Sequence, residues 1–97
     1  MKTNYIITIK ARKNVLGLKI DNIRYAHKII DQNTFRQADW AFNIREAAIF
    51  SSVEDAEEWF LINKRYLFTA EDRMYDFDMS SITIVKREYT AVKKLEV

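Results

Sequence analysis

Residues 47–60 read Ala47-Ala48-Ile49-Phe50-Ser51-Ser52-Val53-Glu54-Asp55-Ala56-Glu57-Glu58-Trp59-Phe60, and this stretch decides the fold. An apolar run comes first, two serines follow, and a segment of acids and aromatics comes last. A serine hydroxyl accepts one of the backbone N–H groups that a helix start leaves unpaired, so Ser51 or Ser52 is expected to cap a helix. The stretch therefore predicts a brief strand or extended segment, a cap and a helix in direct succession.

The predicted helix runs from about Val53 to about Tyr66. Four acids lie in its first turns, and Lys64 and Arg65 lie near its end, which is the order of charge that the helix dipole favours. One side of the helix is apolar and is expected to pack on a sheet: Val53, Ala56, Phe60 and either Trp59 or Asn63. Because Trp59 and Phe60 point about 100° apart, one ring of the pair is expected at the surface, where it would mark an interface.

The rest of the chain predicts an antiparallel sheet. Apolar and polar side chains alternate over residues 5–11, which is typical of a strand because successive strand side chains point to opposite faces. Further strands are expected at residues 15–20, 23–30 and 81–89. A turn at Asp21-Asn22 and a loop at residues 76–79 are expected between them. The tail from Thr90 is expected to form an extended edge or a frayed end.

Residues 35–42 suit either a strand, with Ala38, Trp40 and Phe42 turned inward, or a helix. In both cases the predicted fold class is α+β, an antiparallel sheet of about four to five strands with one main helix packed on one face. The 97 residues, 48% of them hydrophobic, suffice for one core, so residues 1–97 are expected to form a single domain. The expected core consists of Ile7, Ile9, Trp40, Phe42, Phe50, Val53, Ala56, Phe60, Ile82 and Ile84.

The composition excludes several kinds of chemistry. The chain has no cysteine and one histidine, His27, which rules out disulfides, thiolate catalysis and zinc sites built on Cys and His. A single glycine rules out glycine-rich loops that bind phosphate. The apolar run at residues 5–9 is too short for a signal peptide or a membrane span. We therefore expect a cytoplasmic protein without catalytic residues, metal, cofactor or membrane partner.

Charge is distributed unevenly along the chain. Residues 1–30 contain seven basic side chains and one acidic one, a net charge of +6, whereas residues 31–60 contain two basic and seven acidic ones, a net charge of −5. The basic part predicts a surface that binds phosphate or an acidic protein. Its expected contact residues are Lys10, Arg12, Lys13, Arg24 and Lys28, with Tyr25 and Trp59 as aromatic contacts. The alternative is a solvated face whose lysines protect the edge of the sheet.

Two segments resemble a layout found in small accessory proteins of phages and mobile elements of low-GC Gram-positive bacteria. They are Tyr5-Ile6-Ile7-Thr8-Ile9 and the segment Glu46-Ala47-Ala48-Ile49-Phe50-Ser51-Ser52-Val53-Glu54-Asp55-Ala56-Glu57. Proteins of this class generally lack active sites and act by binding a host or defence macromolecule, and anti-CRISPR inhibitors are among them. No residue roles are carried over from the resemblance.

The resemblance and the excluded chemistries together predict a non-enzymatic protein of the bacterial host cytoplasm. It is expected to bind and inhibit or modulate a host or defence protein or ribonucleoprotein. The alternative is a small protein that binds DNA or RNA through its basic N-terminal sheet. A homodimer is a third expected interaction, because an exposed aromatic ring on the helix would suit one.

Overall fold

The computed structural model describes residues 4–13, 19–29, 37–68, 76–86 and 91–96 of the chain. Within them lie five strands and one long helix: β1 (Tyr5–Lys13), β2 (Lys19–Lys28), β3 (Ala38–Ala41), α1 (Val53–Leu67), β4 (Asp76–Lys86) and β5 (Ala91–Lys94). A single 3₁₀ turn, Ile44–Glu46, lies between β3 and α1 and is capped by Asn43. The predicted helix is thus confirmed, and residues 38–41 form a strand.

The five strands form one antiparallel sheet in the order β3-β2-β1-β4-β5. The first strand of the chain is therefore the central one, and the short strands β3 and β5 are its edges. The helix α1 packs on one face of the sheet, against β3 and β1. This arrangement confirms the predicted α+β fold class.

The hydrophobic core lies between α1 and the sheet. Its buried side chains include Ile7, Ile9, Trp40, Phe50, Ala56, Phe60, Ile82 and Ile84, as predicted, together with Ala26, Ala38, Ala48, Leu67 and Leu95. Val53 packs against this core from a half-buried position. Phe42 is 65% exposed, so its predicted place in the core is wrong. It follows the last residue of β3, where strand alternation no longer fixes the direction of a side chain.

The predicted turn at Asp21-Asn22 is also wrong. Both residues lie inside β2, and Asn22 pairs with Ala11 of the central strand. Asp and Asn disfavour strands by less than about 1 kcal/mol, and pairing with a neighbouring strand outweighs that preference. The predicted strand at residues 15–20 is described only from Lys19 onward, where it belongs to the same continuous β2.

The predicted loop at residues 76–79 is strand in the structure. These residues begin β4, where Asp76 pairs with Lys13 and Asp78 pairs with Lys10. The register shifts nearby, and the Lys10 backbone N–H donates to the Ser81 hydroxyl at 2.9 Å. Hydroxyl and carboxylate side chains that usually mark a loop therefore sit at a strand irregularity here. The tail was predicted to be either an extended edge or a frayed end, and it forms the edge strand β5.

The segment that precedes the two serines of the helix cap joins the sheet to the helix. Within the described residues, the pairing of β1 with β2 ends at Thr8 and Tyr25, and beyond that pair the segment 48–50 forms hydrogen bonds with both strands. The Ala48 N–H donates to the Ala26 carbonyl of β2 at 2.8 Å, and Phe50 exchanges two hydrogen bonds of 2.8 Å with Tyr5 of β1. The predicted extended segment is thus wedged between two strands, which fixes where α1 begins.

Candidate functional site

An open groove runs along one flank of α1, beside the wedged segment. Its volume is about 460 Å³, and it is lined by Lys28, Ile49, Phe50, Ser51, Asp55, Glu58, Trp59 and Ile62. Three parts of the fold supply these residues: the end of β2, the segment that precedes α1, and the first two and a half turns of α1. The groove therefore exists only because the wedge brings β2 and α1 together.

Two aromatic rings in tilted contact form the wall of the groove that is continuous with the core. The rings of Phe50 and Trp59 lie 5.4 Å apart between centroids and are tilted by 51°. Phe50 is buried, whereas Trp59 is half-buried and packs against the core from its margin. The predicted surface aromatic is thus Trp59, and Phe60 is the buried member of the pair.

Opposite charges lie on the two sides of the groove. On the sheet side, the Lys28 ammonium is 5.0 Å from the centroid of the Phe50 ring, within the range of a cation–π contact. On the helix side, Asp55 and Glu58 are exposed carboxylates. An ammonium and two carboxylates thus lie on different sides of one apolar surface, an arrangement that can orient a charged ligand.

The helix cap holds Asp55 in place. The Asp55 backbone N–H donates to the Ser52 hydroxyl at 3.1 Å, and the Ser51 hydroxyl donates to the Asp55 carboxylate at 2.9 Å. Of the two serines predicted as alternatives for the helix cap, Ser52 is thus the N-cap of α1. The same two serines that begin the helix also orient an acid at the rim of the groove.

Two exposed apolar side chains in the groove were not among the contact residues predicted from the sequence. Ile49 lies between buried Ala48 and Phe50, and Ile62 lies on the side of α1 away from the core; both are well exposed. Strand alternation around residue 49 and helical spacing around residue 62 are the signals that could have found them.

The structure brings together only part of the predicted contact set. Lys28 and Trp59 line the groove. Lys10 and Tyr25 lie on the sheet face away from α1, as the pairing of Thr8 with Tyr25 and the alternation of β1 require. Arg24 pairs with Ile9 and is only 4% exposed on the opposite face.

Arg24 is held inside the fold. Its guanidinium lies 3.8 Å from the centroid of the Phe42 ring, which covers it. Arg12 and Lys13 lie in β1, but their side chains are outside the described residues. The basic residues therefore do not form one exposed cluster, since Lys10 and Arg24 occupy opposite faces.

His27 has a local structural contact. Its Nδ1–H donates to the Glu46 carbonyl at 2.6 Å, which ties the 3₁₀ turn to β2. Across the described ranges, no group of three or more His, Cys, Asp or Glu side chains is placed to hold a metal ion. Every helix in the same ranges falls short of the length and hydropathy needed to cross a bilayer.

The groove thus brings apolar, aromatic and oppositely charged groups together beside α1. Such a combination is typical of surfaces that bind another molecule by an apolar anchor and orient it by charge. Compared with known proteins, the chain matches no family model, no curated protein and no solved structure.

Proposed function

We propose that this chain is a non-enzymatic binding module that inhibits or modulates a protein, or the protein part of a ribonucleoprotein, of a bacterial host or its defence systems. It would act in the host cytoplasm, in the manner of phage accessory proteins such as anti-CRISPR inhibitors. The observation that carries the proposal is the groove between Lys28, Trp59 and Ile62. The excluded chemistries and the resemblance to phage proteins supply the class of behaviour.

The chemistry of the groove defines the part of the partner that would occupy it. An apolar side chain would lie against Ile49, Trp59 and Ile62, because burial of apolar surface supplies most of the energy at the centre of protein interfaces. An acidic group beside that anchor would face Lys28, and a basic group on its other side would face Asp55 and Glu58. Tryptophan is among the residues that most often dominate binding energy, which makes Trp59 the central contact.

The volume of the groove suits this role. At about 460 Å³ it falls within the range of about 300–1,000 Å³ of sites that enclose small ligands. It is open along its length, so it suits anchoring side chains of a larger molecule better than a small molecule enclosed on all sides. A protein partner is therefore favoured over a metabolite.

The test compares wild type with two matched surface variants. Ile49→Asp places a charge in the groove, and Ile23→Asp places the same charge on the sheet face away from α1. Ile49 and Ile23 are exposed to similar extents, 49% and 47%, and neither belongs to the buried core. Proteins retained from a Gram-positive host lysate by each variant are identified, and the candidate partner is then purified and titrated against all three.

We expect the purified partner to bind wild type and Ile23→Asp equally and to bind Ile49→Asp at least about 10-fold more weakly, a change of about 1.4 kcal/mol. Equal binding to all three variants would overturn the groove as the contact surface. Capture that disappears after nuclease treatment and falls steeply with salt would replace the proposal with nucleic-acid binding through basic residues such as Lys10, because each phosphate contact releases counterions.

A further inference from the structure

The outward side of α1 carries a stripe of two apolar side chains with a charged side chain at each end. It consists of Glu58, Leu61, Ile62 and Arg65, at the spacing i, i+3, i+4 and i+7 that places residues on one side of a helix. This outward stripe lies opposite the buried side, which consists of Ala56, Phe60, Asn63 and Leu67. Leu61 and Ile62 are each 61% exposed, so the centre of the outward stripe is apolar surface that the described part of the chain leaves open.

The ends of the outward stripe carry opposite charges. Glu58 is an exposed carboxylate at the N-terminal end of the stripe. Arg65 donates to the Tyr66 hydroxyl at 2.8 Å, and its guanidinium lies 4.7 Å from the centroid of that ring, which holds it close to the helix. The stripe therefore reads acidic, apolar, apolar, basic from its N-terminal to its C-terminal end.

This order is complementary to itself when the stripe is turned end for end. With a two-fold axis between residues 61 and 62, Glu58 of one copy faces Arg65 of the other, and Leu61 faces Ile62. Each contact occurs twice, as a two-fold axis requires. Packing in the parallel direction would instead place Glu58 against Glu58, so charge selects the antiparallel pair.

We propose that a second copy of this chain binds the outward stripe, with the two α1 helices antiparallel and the charge pairs Glu58–Arg65 at both ends of the contact. This dimer does not depend on the proposed host partner. Leu61 belongs to the stripe and not to the groove, whereas Ile49 belongs to the groove and not to the stripe. The two surfaces share Glu58 and Ile62, so a second copy would compete with a partner in the groove, but Leu61 and Ile49 allow each surface to be changed without the other.

The size of the contact predicts a weak, reversible dimer. A helix of 15 residues is about 22 Å long at about 1.5 Å per residue, and one side of it offers less area than the roughly 800 Å² per partner of a standard interface. We expect dissociation constants of about 10 μM or weaker, the range of small reversible interfaces. The chain would thus be mainly monomeric when dilute and dimeric when concentrated.

The test is a charge-reversal mixing experiment, read by sedimentation equilibrium over a range of protein concentrations. Glu58→Arg alone places arginine opposite Arg65 at both ends, and Arg65→Glu alone places glutamate opposite Glu58. Each variant should dimerise at least 10-fold more weakly than wild type. An equimolar mixture should recover the wild-type affinity as a heterodimer, because every facing pair in it is again opposite in charge.

Two further variants keep the interpretation specific. Leu61→Ser should abolish the dimer, and Ile23→Ser on the other side of the molecule should leave it intact. Wild-type protein that stays monomeric at millimolar concentration would overturn the proposal. A dimer that persists in both reversal variants, or a mixture that fails to associate, would also overturn it, because another surface would then form the contact. Because Glu58 also lines the groove, binding of the host partner is compared in Leu61→Ser, which leaves the groove lining intact, and in Ile49→Asp, which leaves the stripe intact.

Discussion

Both sides of α1 carry large apolar side chains, but one side is buried in the core and the other is exposed. Phe60 is 1% exposed inside the core, while its neighbours in sequence Leu61 and Ile62 project from the opposite side. Each step along a helix turns the side chain by about 100°, so adjacent residues of similar hydrophobicity end in different environments. Burial in this helix is therefore decided by angular position, and composition alone would not distinguish its two sides.

Each side of α1 also contains an exception to the usual pattern, in which polar side chains are exposed and apolar side chains are buried. The buried side contains Asn63, whose side-chain amide donates to the Trp59 carbonyl at 2.9 Å. A buried amide needs such a partner, because leaving it unpaired would cost about 1–3 kcal/mol. The outward side contains Leu61 and Ile62, whose exposure costs little in an isolated chain and gains value only in an interface. The first exception is resolved within the chain, and the second gives α1 a surface suited to a partner.

The largest effect should come from the buried side. Phe60→Ala removes a fully buried ring and should lower the free energy of unfolding by about 3–5 kcal/mol, because a cavity remains where the ring packed. Urea denaturation monitored by far-UV circular dichroism measures the change. Phe42→Ala is the matched control: the same atoms leave an exposed site over Arg24, at a cost of about 0.5–1 kcal/mol. Equal costs for the two variants would contradict the assignment of the core.

A middle-sized effect is expected at the helix start, which both sides of α1 share. Ser52→Ala removes the hydroxyl that accepts the Asp55 N–H and should destabilise the protein by about 1 kcal/mol. Ser51→Ala is the control: the Ser51 hydroxyl bonds an exposed carboxylate, so its removal should cost less than about 0.5 kcal/mol. Thermal or urea denaturation of both variants measures the loss of stability in each. A greater loss at Ser51 would move the cap by one residue.

The smallest effect on stability should come from the outward side. Leu61→Ala, measured at a protein concentration where the chain is monomeric, should change the free energy of unfolding by no more than about 0.5 kcal/mol, since an exposed side chain leaves no cavity. The same variant should weaken self-association at high concentration. A loss above about 1 kcal/mol in the dilute protein would mean that Leu61 is covered within the chain, and the contrast between the two sides of α1 would fail.

Local patterns predicted the parts of the molecule that local physics controls. Alternation identified the central strand at residues 5–11, and the serines, acids and late basic residues identified α1 to within a residue at its C-terminal end. The cap was narrowed to two adjacent serines, because both offer a hydroxyl at the required spacing. Strand alternation and helix capping act over a few residues, which is why the sequence was sufficient for them.

The errors fall where distant segments decide the outcome. Asp21-Asn22 became strand because β1 supplies the hydrogen-bond partners, and residues 76–79 became strand for the same reason. Phe42 left the core because its strand ends one residue earlier. In each case the sequence signal was a weak local preference, and pairing between strands distant in sequence outweighed it.

Part of the candidate site was likewise predictable from the sequence, and part was not. Trp59 and Lys28 were among the predicted contact residues, since an adjacent aromatic pair and a basic segment are visible in the sequence alone. Their meeting in one groove was not predictable, because it depends on the segment 48–50 entering the sheet between Tyr5 and Ala26. Sequence by itself determined the fold class, the helix and its cap through local backbone physics. Tertiary structure alone decided which apolar and charged side chains share a surface, because that choice depends on hydrogen bonds between strands far apart in the chain.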